Sequence, residues 1–121
     1  MIVAGFGFRA GADIAALRSA LALAQSGHPP AAALATVRDK ADELAALART
    51  MGLPLIAVDA AAIEGIATVT RSRASIAARG TGSVAEAVAL AAAGPGARLL
   101  CARRISPDRM ATCAIAESTL R

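Results

Sequence analysis

The stretch that decides the fold is Ile2-Val3-Ala4-Gly5-Phe6-Gly7-Phe8-Arg9-Ala10-Gly11, close to the start of the chain. Its apolar beginning predicts a β-strand, and the closely spaced glycines predict a turn directly after it. Gly5, Gly7 and Gly11 can adopt positive φ angles and let the backbone approach a ligand closely. Asp13 can then cap a helix whose first amides face the same place. We therefore expect a binding site where this first strand ends.

Other interpretations of this turn stay open. A dinucleotide site of the G-x-G-x-x-G type would need glycine at position 10, where the chain has Ala10, so no nicotinamide or flavin cofactor is expected. A small nucleotide-binding regulatory domain is supported only by the glycines. A plain strand-to-helix turn without any ligand is the structural alternative.

Length and composition predict one domain, residues 1–121, with an ample core. Hydrophobic residues make up 56% of the chain but aromatic residues only 2%, so alanine and small aliphatic side chains must fill the interior. The net charge of +4 comes almost entirely from arginine, because Lys40 is the only lysine. Arginine suits ligands with several carboxylates, since its guanidinium group binds a carboxylate through paired hydrogen bonds.

The same composition argues against nucleic acid and membrane partners. The only aromatic residues, Phe6 and Phe8, flank a glycine and do not form a stacking surface, and no zinc-ligand spacing accompanies them. Cys101 and Cys113 form no C-x-x-C motif and are predicted to be buried free thiols, as in a cytoplasmic protein. No signal peptide is expected, because no basic residue precedes the first apolar segment and Arg9, Asp13 and Arg18 interrupt it. No apolar run reaches the roughly 20 residues of a membrane span.

Short apolar runs alternate with helical periodicity along the chain, which is typical of an α/β fold. We predict a three-layer α/β/α sandwich with a mixed sheet of about five strands, the last two antiparallel. The predicted strands cover residues 1–5, 33–37, 53–58, 98–102 and 111–116. The last pair is joined by a polar turn around Ser106-Pro107-Asp108.

Helices are predicted in the segments between these strands. A first helix contains Ile14 and ends before Gly27, and a second is predicted to begin with Asp39 as its N-cap. Asp59 is predicted to cap a short helical turn after the third strand, which we expect to be fully buried. Residues 66–82 are predicted to be an exposed connection, with at most a brief strand at 68–70. A capping box of Ser83 and Glu86 opens a helix that ends at Gly94-Pro95-Gly96.

Four sequence blocks resemble the CobE/CbiG C-terminal family of cobalamin biosynthesis, in the order and spacing of that family over residues 2–117. The chain is most similar in form to stand-alone CobE. The blocks are Gly5-x-Gly7-x-Arg9-x-Gly11, Ala35-Thr36 with Lys40-Ala41-Asp42-Glu43, Gly82-Ser83-Val84-Ala85-Glu86-Ala87, and Leu99-Leu100 with Arg103 and Ala111-Thr112-x-Ala114-Ile115-Ala116. The chain departs from the family pattern at three places. It has Phe8 where the family often has cysteine, Ala10 where the family often has arginine, and Arg103-Arg104 where the family often has lysine.

The resemblance implies binding of a precorrin or hydrogenobyrinic-acid-like tetrapyrrole. The family's two-part CbiG protein opens the lactone of a cobalt-precorrin intermediate and releases acetaldehyde, which implies a hydrolase-like step as one possibility. A non-catalytic carrier, or a partner of other corrin-pathway enzymes, is the other. A thiol-dependent step beside Arg9 would be lost here, because Phe8 replaces the cysteine.

The residues themselves agree with a ligand rich in carboxylates. Arginines in loops or at strand ends are expected to converge on one rim, with Phe6 and Phe8 as apolar surface: Arg9, Arg71, Arg73 and Arg103. The structural alternative for each is a solvated surface charge. By the family blocks, the remaining substrate-binding candidates are Gly5, Gly7, Gly11, Thr36, Glu43, Gly82 and Ser83.

Lys40 and Glu86 are the catalytic candidates. Lys40 is predicted at a helix start, where a positive charge opposes the helix dipole, so a ligand-facing role competes with a surface pair to Asp39 or Glu43. Glu86 is either the capping partner of Ser83 or a general acid or base. His28, the only histidine, is expected to be exposed and idle, and no metal-ligand cluster can be assembled.

Overall fold

A mixed five-stranded sheet forms the centre of the protein, with strand order β3-β2-β1-β5-β4. We describe residues 1–118 of a computed structural model. β1 is parallel to β2, which is parallel to β3, and β5 is antiparallel to both β1 and β4. The predicted antiparallel last pair is thus confirmed. The strands are β1 (Ile2–Phe8), β2 (Ala33–Val37), β3 (Leu55–Val58), β4 (Arg98–Ile105) and β5 (Ala111–Glu117).

Helices cover both faces of this sheet. They are α1 (Ile14–Gln25), α2 (Ala41–Met51), α3 (Ala60–Ile63), α4 (Arg73–Arg79) and α5 (Val84–Ala93). Ala4 and Phe6 of β1 pack on one side with α1 and α2. Val3 packs on the other side with α3 and α5. The alternation of side chains along β1 therefore divides the core into two layers, as the predicted three-layer sandwich requires.

Several local predictions hold because capping residues act locally. The Asp13 carboxylate accepts a hydrogen bond from the Ala16 N–H at 2.8 Å and begins α1. The Ser83 hydroxyl accepts the Glu86 N–H at 3.2 Å and begins α5, which ends at Gly94. Gly52 closes α2 in the left-handed conformation. Cys101 and Cys113 are buried free thiols, as predicted.

Two predictions about helices were wrong. Residues 73–79, expected in an exposed connection, form α4, which the Ser72 hydroxyl caps and Gly80 ends. Asp39 is not the N-cap of α2: a 3-10 turn, Arg38–Lys40, comes first, and Lys40 occupies the cap position without a side-chain hydrogen bond. The Asp39 carboxylate instead binds Arg79 at the end of α4, which is 40 residues away in sequence.

Three further expectations need correction. β3 lies at the edge of the sheet and is mostly half-buried, not fully buried. The Asp59 carboxylate does not cap α3 but accepts a hydrogen bond from Arg38. Phe6 has no exposed surface and belongs to the core, so only Phe8 is left to offer apolar surface to a ligand.

Gly5 lies where α5 crosses β1. A Cβ atom at this position would be 2.3 Å from the Ala85 carbonyl oxygen and 2.5 Å from the Ala89 nitrogen, both main-chain atoms. Gly5 and Gly7 lie within β1 and not in the turn predicted for them, and of the three glycines only Gly11 has a positive φ, at 86°. Gly5 is therefore needed for the close approach of a helix, and the expectation that it approaches a ligand is corrected.

Gly5→Ala should lower the free energy of unfolding by about 1–3 kcal/mol, because the added methyl group must push main-chain atoms of α5 away from the sheet. Gly7→Ala is the matched control on the same strand. A Cβ at Gly7 would meet the Thr112 hydroxyl at 3.1 Å and the Val84 Cβ at 3.2 Å, contacts that need shifts of only a few tenths of an ångström. Urea unfolding of both variants measures the difference, and equal losses would contradict the packing role of Gly5.

Candidate functional site

A cleft of about 370 Å³ lies at the end of the sheet where β1 and β4 finish and β5 begins. β1 and β4 point the same way, because each is antiparallel to β5. The first residue of α5, Val84, also lines the cleft, as do Ala74, Ser75 and Arg79 of α4 and its N-cap Ser72. Ligands of open α/β sheets bind outside the carboxyl ends of the parallel strands, and this is such a place.

Four arginines line the cleft: Arg9, Arg79, Arg103 and Arg109. Arg9 and Arg103 were expected here. Arg71 and Arg73 are exposed and are not among the residues that line the cleft, so a place on its rim stays a prediction for both.

Sequence reasoning missed the other two arginines. Arg79 lines the cleft at the last residue of α4, a helix that the sequence did not predict. Arg109 lies in the tight turn between β4 and β5 with a φ of 61°, which is uncommon for a residue other than glycine. The positive charge of the cleft therefore comes from four separate segments that only the fold brings together.

Arg79 is held by an ion pair at the wall of the cleft. Its Nη1 and Nη2 atoms lie 2.8 and 2.9 Å from the two carboxylate oxygens of Asp39. These hydrogen bonds lower the pKa of Asp39 and raise the pKa of Arg79 from their usual values. The geometry shows how a carboxylate fits Arg79, since Asp39 already makes the paired contact that a ligand carboxylate would make.

Glu86 is fully buried in the first turn of α5. Its Oε1 accepts hydrogen bonds from the Val69 and Thr70 N–H groups at 2.8 and 3.0 Å, and its Oε2 accepts the Arg103 N–H at 3.0 Å. Burial alone would raise the pKa of Glu86, but the hydrogen bonds from Arg103, Thr70 and Val69 outweigh burial and lower it. The predicted capping box is thus half right: Ser83 caps α5, but Glu86 binds other segments.

Lys40 lies beside the cleft and not in its lining. Its Nζ atom is 5.3 Å from the centre of the Phe8 ring, a cation–π contact, and Phe8 lines the cleft. Among the described residues, no ion pair joins Lys40 to Asp39 or Glu43, although the charge of Lys40 contributes to the lowered pKa of Asp39. A catalytic role for Lys40 stays a prediction.

The chain matches one known protein family over almost its whole length. The family model described as "Cobalamin synthesis G C-terminus" matches residues 2–116. The chain belongs to this family. Comparison with curated proteins gives no match.

The solved structures similar to this member of the cobalamin synthesis G C-terminus family include the following three. CobE, a protein from the cobalamin (vitamin B12) biosynthetic pathway, is 32% identical with a TM-score of 0.81, over 96% of this chain and 89% of CobE. Cobalamin biosynthesis protein chiG from Agrobacterium tumefaciens is 36% identical with a TM-score of 0.75, over 99% and 100% of the two chains. A putative cobalamin biosynthesis protein G homolog from Sulfolobus solfataricus shares the fold, with 19% identity and a TM-score of 0.75. The match covers 97% of this chain and 36% of the homolog.

The family blocks place their residues in different roles. Gly7 lines the cleft, whereas Gly11 and Glu43 are exposed elsewhere. Thr36 has no exposed surface, and its hydroxyl donates to the Phe6 carbonyl oxygen at 2.9 Å, so the expected contact with substrate is corrected. Ser83 is likewise buried and caps α5.

Gly82 is also buried, for a different reason. A Cβ there would lie 2.5 Å from the Thr70 carbonyl oxygen. Gly82 therefore lets the segment before α4 pass close to the start of α5. As with Gly5 and Thr36, the expected contact with substrate is replaced by a packing role that supports the cleft.

Two further observations concern the part of the chain that is described. Within residues 1–118, no group of three or more His, Cys, Asp or Glu residues is arranged to hold a metal ion. None of the described helices is both long and apolar enough to cross a membrane.

The pKa of Glu86 predicts a pH dependence of stability. Its pKa in the folded protein lies below the usual 4.5, so the unfolded chain binds more protons in acid. The stabilisation from this group is present above about pH 4.5 and is lost as the pH falls through the lowered pKa. Urea unfolding from neutral to acid pH should show a smaller acid loss for Glu86→Gln than for the wild type.

Glu43→Gln is the control for this measurement, because Glu43 is exposed on α2. It should retain the acid loss of the wild-type protein. An acid loss in Glu86→Gln equal to that of Glu43→Gln would show that Glu86 is not held as a carboxylate.

Proposed function

We propose that this protein binds a precorrin-type tetrapyrrole through the carboxylate side chains of the macrocycle, in the cleft lined by Arg9, Arg79, Arg103 and Arg109. The observation that carries the proposal is the convergence of these four arginines in one cleft. Precorrins are flat rings bearing acetate and propionate groups. Guanidinium groups bind such carboxylates strongly, and several contacts at once favour a ligand that carries several carboxylates.

The size and remaining lining of the cleft support binding of one edge of the ring. Its volume of about 370 Å³ is near the lower end of ligand pockets, which span about 300–1,000 Å³. Phe8, Ile105 and Met110 supply apolar surface next to the arginines. Ser72 and Ser75 add polar residues to the same lining.

Binding fits this lining better than a hydrolase-like step. Glu86, the candidate general acid or base, is buried with both carboxylate oxygens already occupied, and its lowered pKa makes it a weak base. Lys40 does not line the cleft, and its Nζ atom lies over the Phe8 ring. We therefore propose a carrier that shelters the intermediate, acting in the cytoplasm with other corrin-pathway enzymes. Opening of a lactone during incubation with a cobalt-precorrin would favour the enzyme instead.

Arg9→Ala and Arg103→Ala should each weaken binding of hydrogenobyrinic acid by about 1.5–3 kcal/mol, roughly tenfold or more, because each removes a charged hydrogen bond. A titration followed by visible absorbance measures the dissociation constant. Raising the salt concentration should weaken wild-type binding, since exposed charges are screened.

Arg18→Ala provides the matched control, because Arg18 is an exposed arginine of α1 that does not line the cleft. It should bind as the wild type does. An equal loss in all three variants would mean that net charge, and not the cleft, governs affinity. Wild-type protein that does not bind hydrogenobyrinic acid would overturn the proposed function.

Asp39→Asn should increase affinity for hydrogenobyrinic acid several-fold. The substitution removes the negative charge that occupies the Arg79 guanidinium, so a ligand carboxylate no longer competes with an internal one. Asp59→Asn is the control: it breaks an exposed pair with Arg38 and changes the net charge equally, but neither residue lines the cleft. The visible-absorbance titration measures the dissociation constant of both variants. Weaker binding by Asp39→Asn would contradict the prediction and show that Asp39 holds Arg79 in a binding conformation.

A further inference from the structure

Glu86 joins two segments that are distant in sequence. Val69 and Thr70 precede α4, whereas Arg103 lies in β4, and both segments donate main-chain N–H groups to the one carboxylate. A carboxylate with no exposed surface is costly to bury unless such donors satisfy it. Removal of any one donor would leave part of a buried charge without compensation. Burial of the Glu86 carboxylate therefore depends on the N–H donors of both segments.

Each of these two segments contains or leads into residues that line the cleft. The segment with Val69 and Thr70 leads directly into Ser72, where a hydrogen bond from the Ser72 N–H to the Gly82 carbonyl at 2.7 Å fixes the start of α4. Ser72 and Arg79 line one wall, and Arg103 lines the other. Glu86 itself does not line the cleft, so it acts on a ligand only through the two segments that its carboxylate binds.

The backbone at Arg103 is irregular in a way that suits this contact. Cys101 pairs with Ile115 and Arg104 with Cys113, so two residues of β4 lie opposite one residue of β5. Such a bulge takes a residue out of the regular ladder and re-aims its side chain. The Arg103 N–H is directed to Glu86 at 3.0 Å.

We propose that Glu86 is a positioning residue for ligand binding: by accepting the Arg103 N–H it holds the β4 bulge so that the Arg103 side chain faces the α4 wall. This inference rests on the proposed function, since it concerns affinity for the ligand of the cleft. It assigns Glu86 a role other than helix capping or proton transfer. The role requires both carboxylate oxygens, one for each wall.

Glu86→Gln tests this role because glutamine keeps the shape but offers one oxygen instead of two. The amide oxygen will take the side with two donors, Val69 and Thr70, and the NH2 group will then face the Arg103 N–H. Two donors cannot bond to each other, so the variant releases Arg103 specifically. We expect affinity for hydrogenobyrinic acid to fall about tenfold.

A double-mutant cycle distinguishes positioning from general loss of structure. In an Arg103→Ala background, Glu86→Gln should change affinity less than about twofold, because the residue that Glu86 positions is absent. In an Arg9→Ala background the full loss should remain, because the Arg9 N–H is held by the Met110 carbonyl at 2.9 Å and not by Glu86. Circular dichroism at the assay temperature confirms that each protein is folded.

The outcomes separate the two proposals. If the wild type does not bind hydrogenobyrinic acid, the proposed function and this inference both fail. If the wild type binds and the Glu86→Gln loss is the same in the Arg103→Ala and Arg9→Ala backgrounds, only the positioning role is overturned. An unchanged affinity in Glu86→Gln has the same consequence.

The wild-type protein provides a second measurement that needs no substitution. Ligand binding should slow amide hydrogen exchange at Val69, Thr70 and Arg103 together, because all three donate to Glu86. Slower exchange at Arg103 without any change at Val69 and Thr70 would show that the walls are not coupled and would overturn the inference. This measurement also decides the case in which Glu86→Gln does not fold.

Discussion

The contact of α5 with β1 at Gly5 is the constraint on which the rest of the structure depends. With main-chain atoms 2.3 and 2.5 Å from the place of a Cβ, no other residue would let the helix lie so close. This approach sets the start of α5 over the end of β1. Ser83 and Glu86 are in this first turn, so the packing of one glycine decides where the cap and the buried carboxylate lie.

Burial of Glu86 at that place has consequences for both walls of the cleft. A carboxylate without exposed surface needs donors, and the fold supplies main-chain N–H groups from two segments. The segment before α4 and the bulge of β4 are thereby held against the same carboxylate, that of Glu86. The cleft is thus an opening between elements that one buried charge ties together, with arginines presented at its surface.

The electrostatics of the cleft follow from the arrangement of elements and not from the composition alone. A net charge of +4 distributed evenly would give a weak field, but four arginines from separate segments line one cleft. Asp39 partly offsets this charge by binding Arg79. Membership of the cobalamin synthesis G C-terminus family gives the cleft a biological context, and its own residues favour a ligand rich in carboxylates.

The sequence by itself determined the features that depend on near neighbours: the alternation of strands and helices, the caps at Asp13 and Ser83, the antiparallel last pair and the place of Arg9 at the end of β1. The family blocks were also readable, since they are sequence patterns. These features were predictable because hydrophobic periodicity and capping act over a few residues.

Only the tertiary structure decided which distant residues meet. Asp39 binds Arg79, so it does not cap α2, and Glu86 binds Val69 and Arg103, so it does not complete the capping box. A local pattern cannot reveal such contacts, because a polar side chain pairs with whatever partner the packing of the whole chain brings within reach. For the same reason Arg79 and Arg109 join Arg9 and Arg103 in the lining of the cleft.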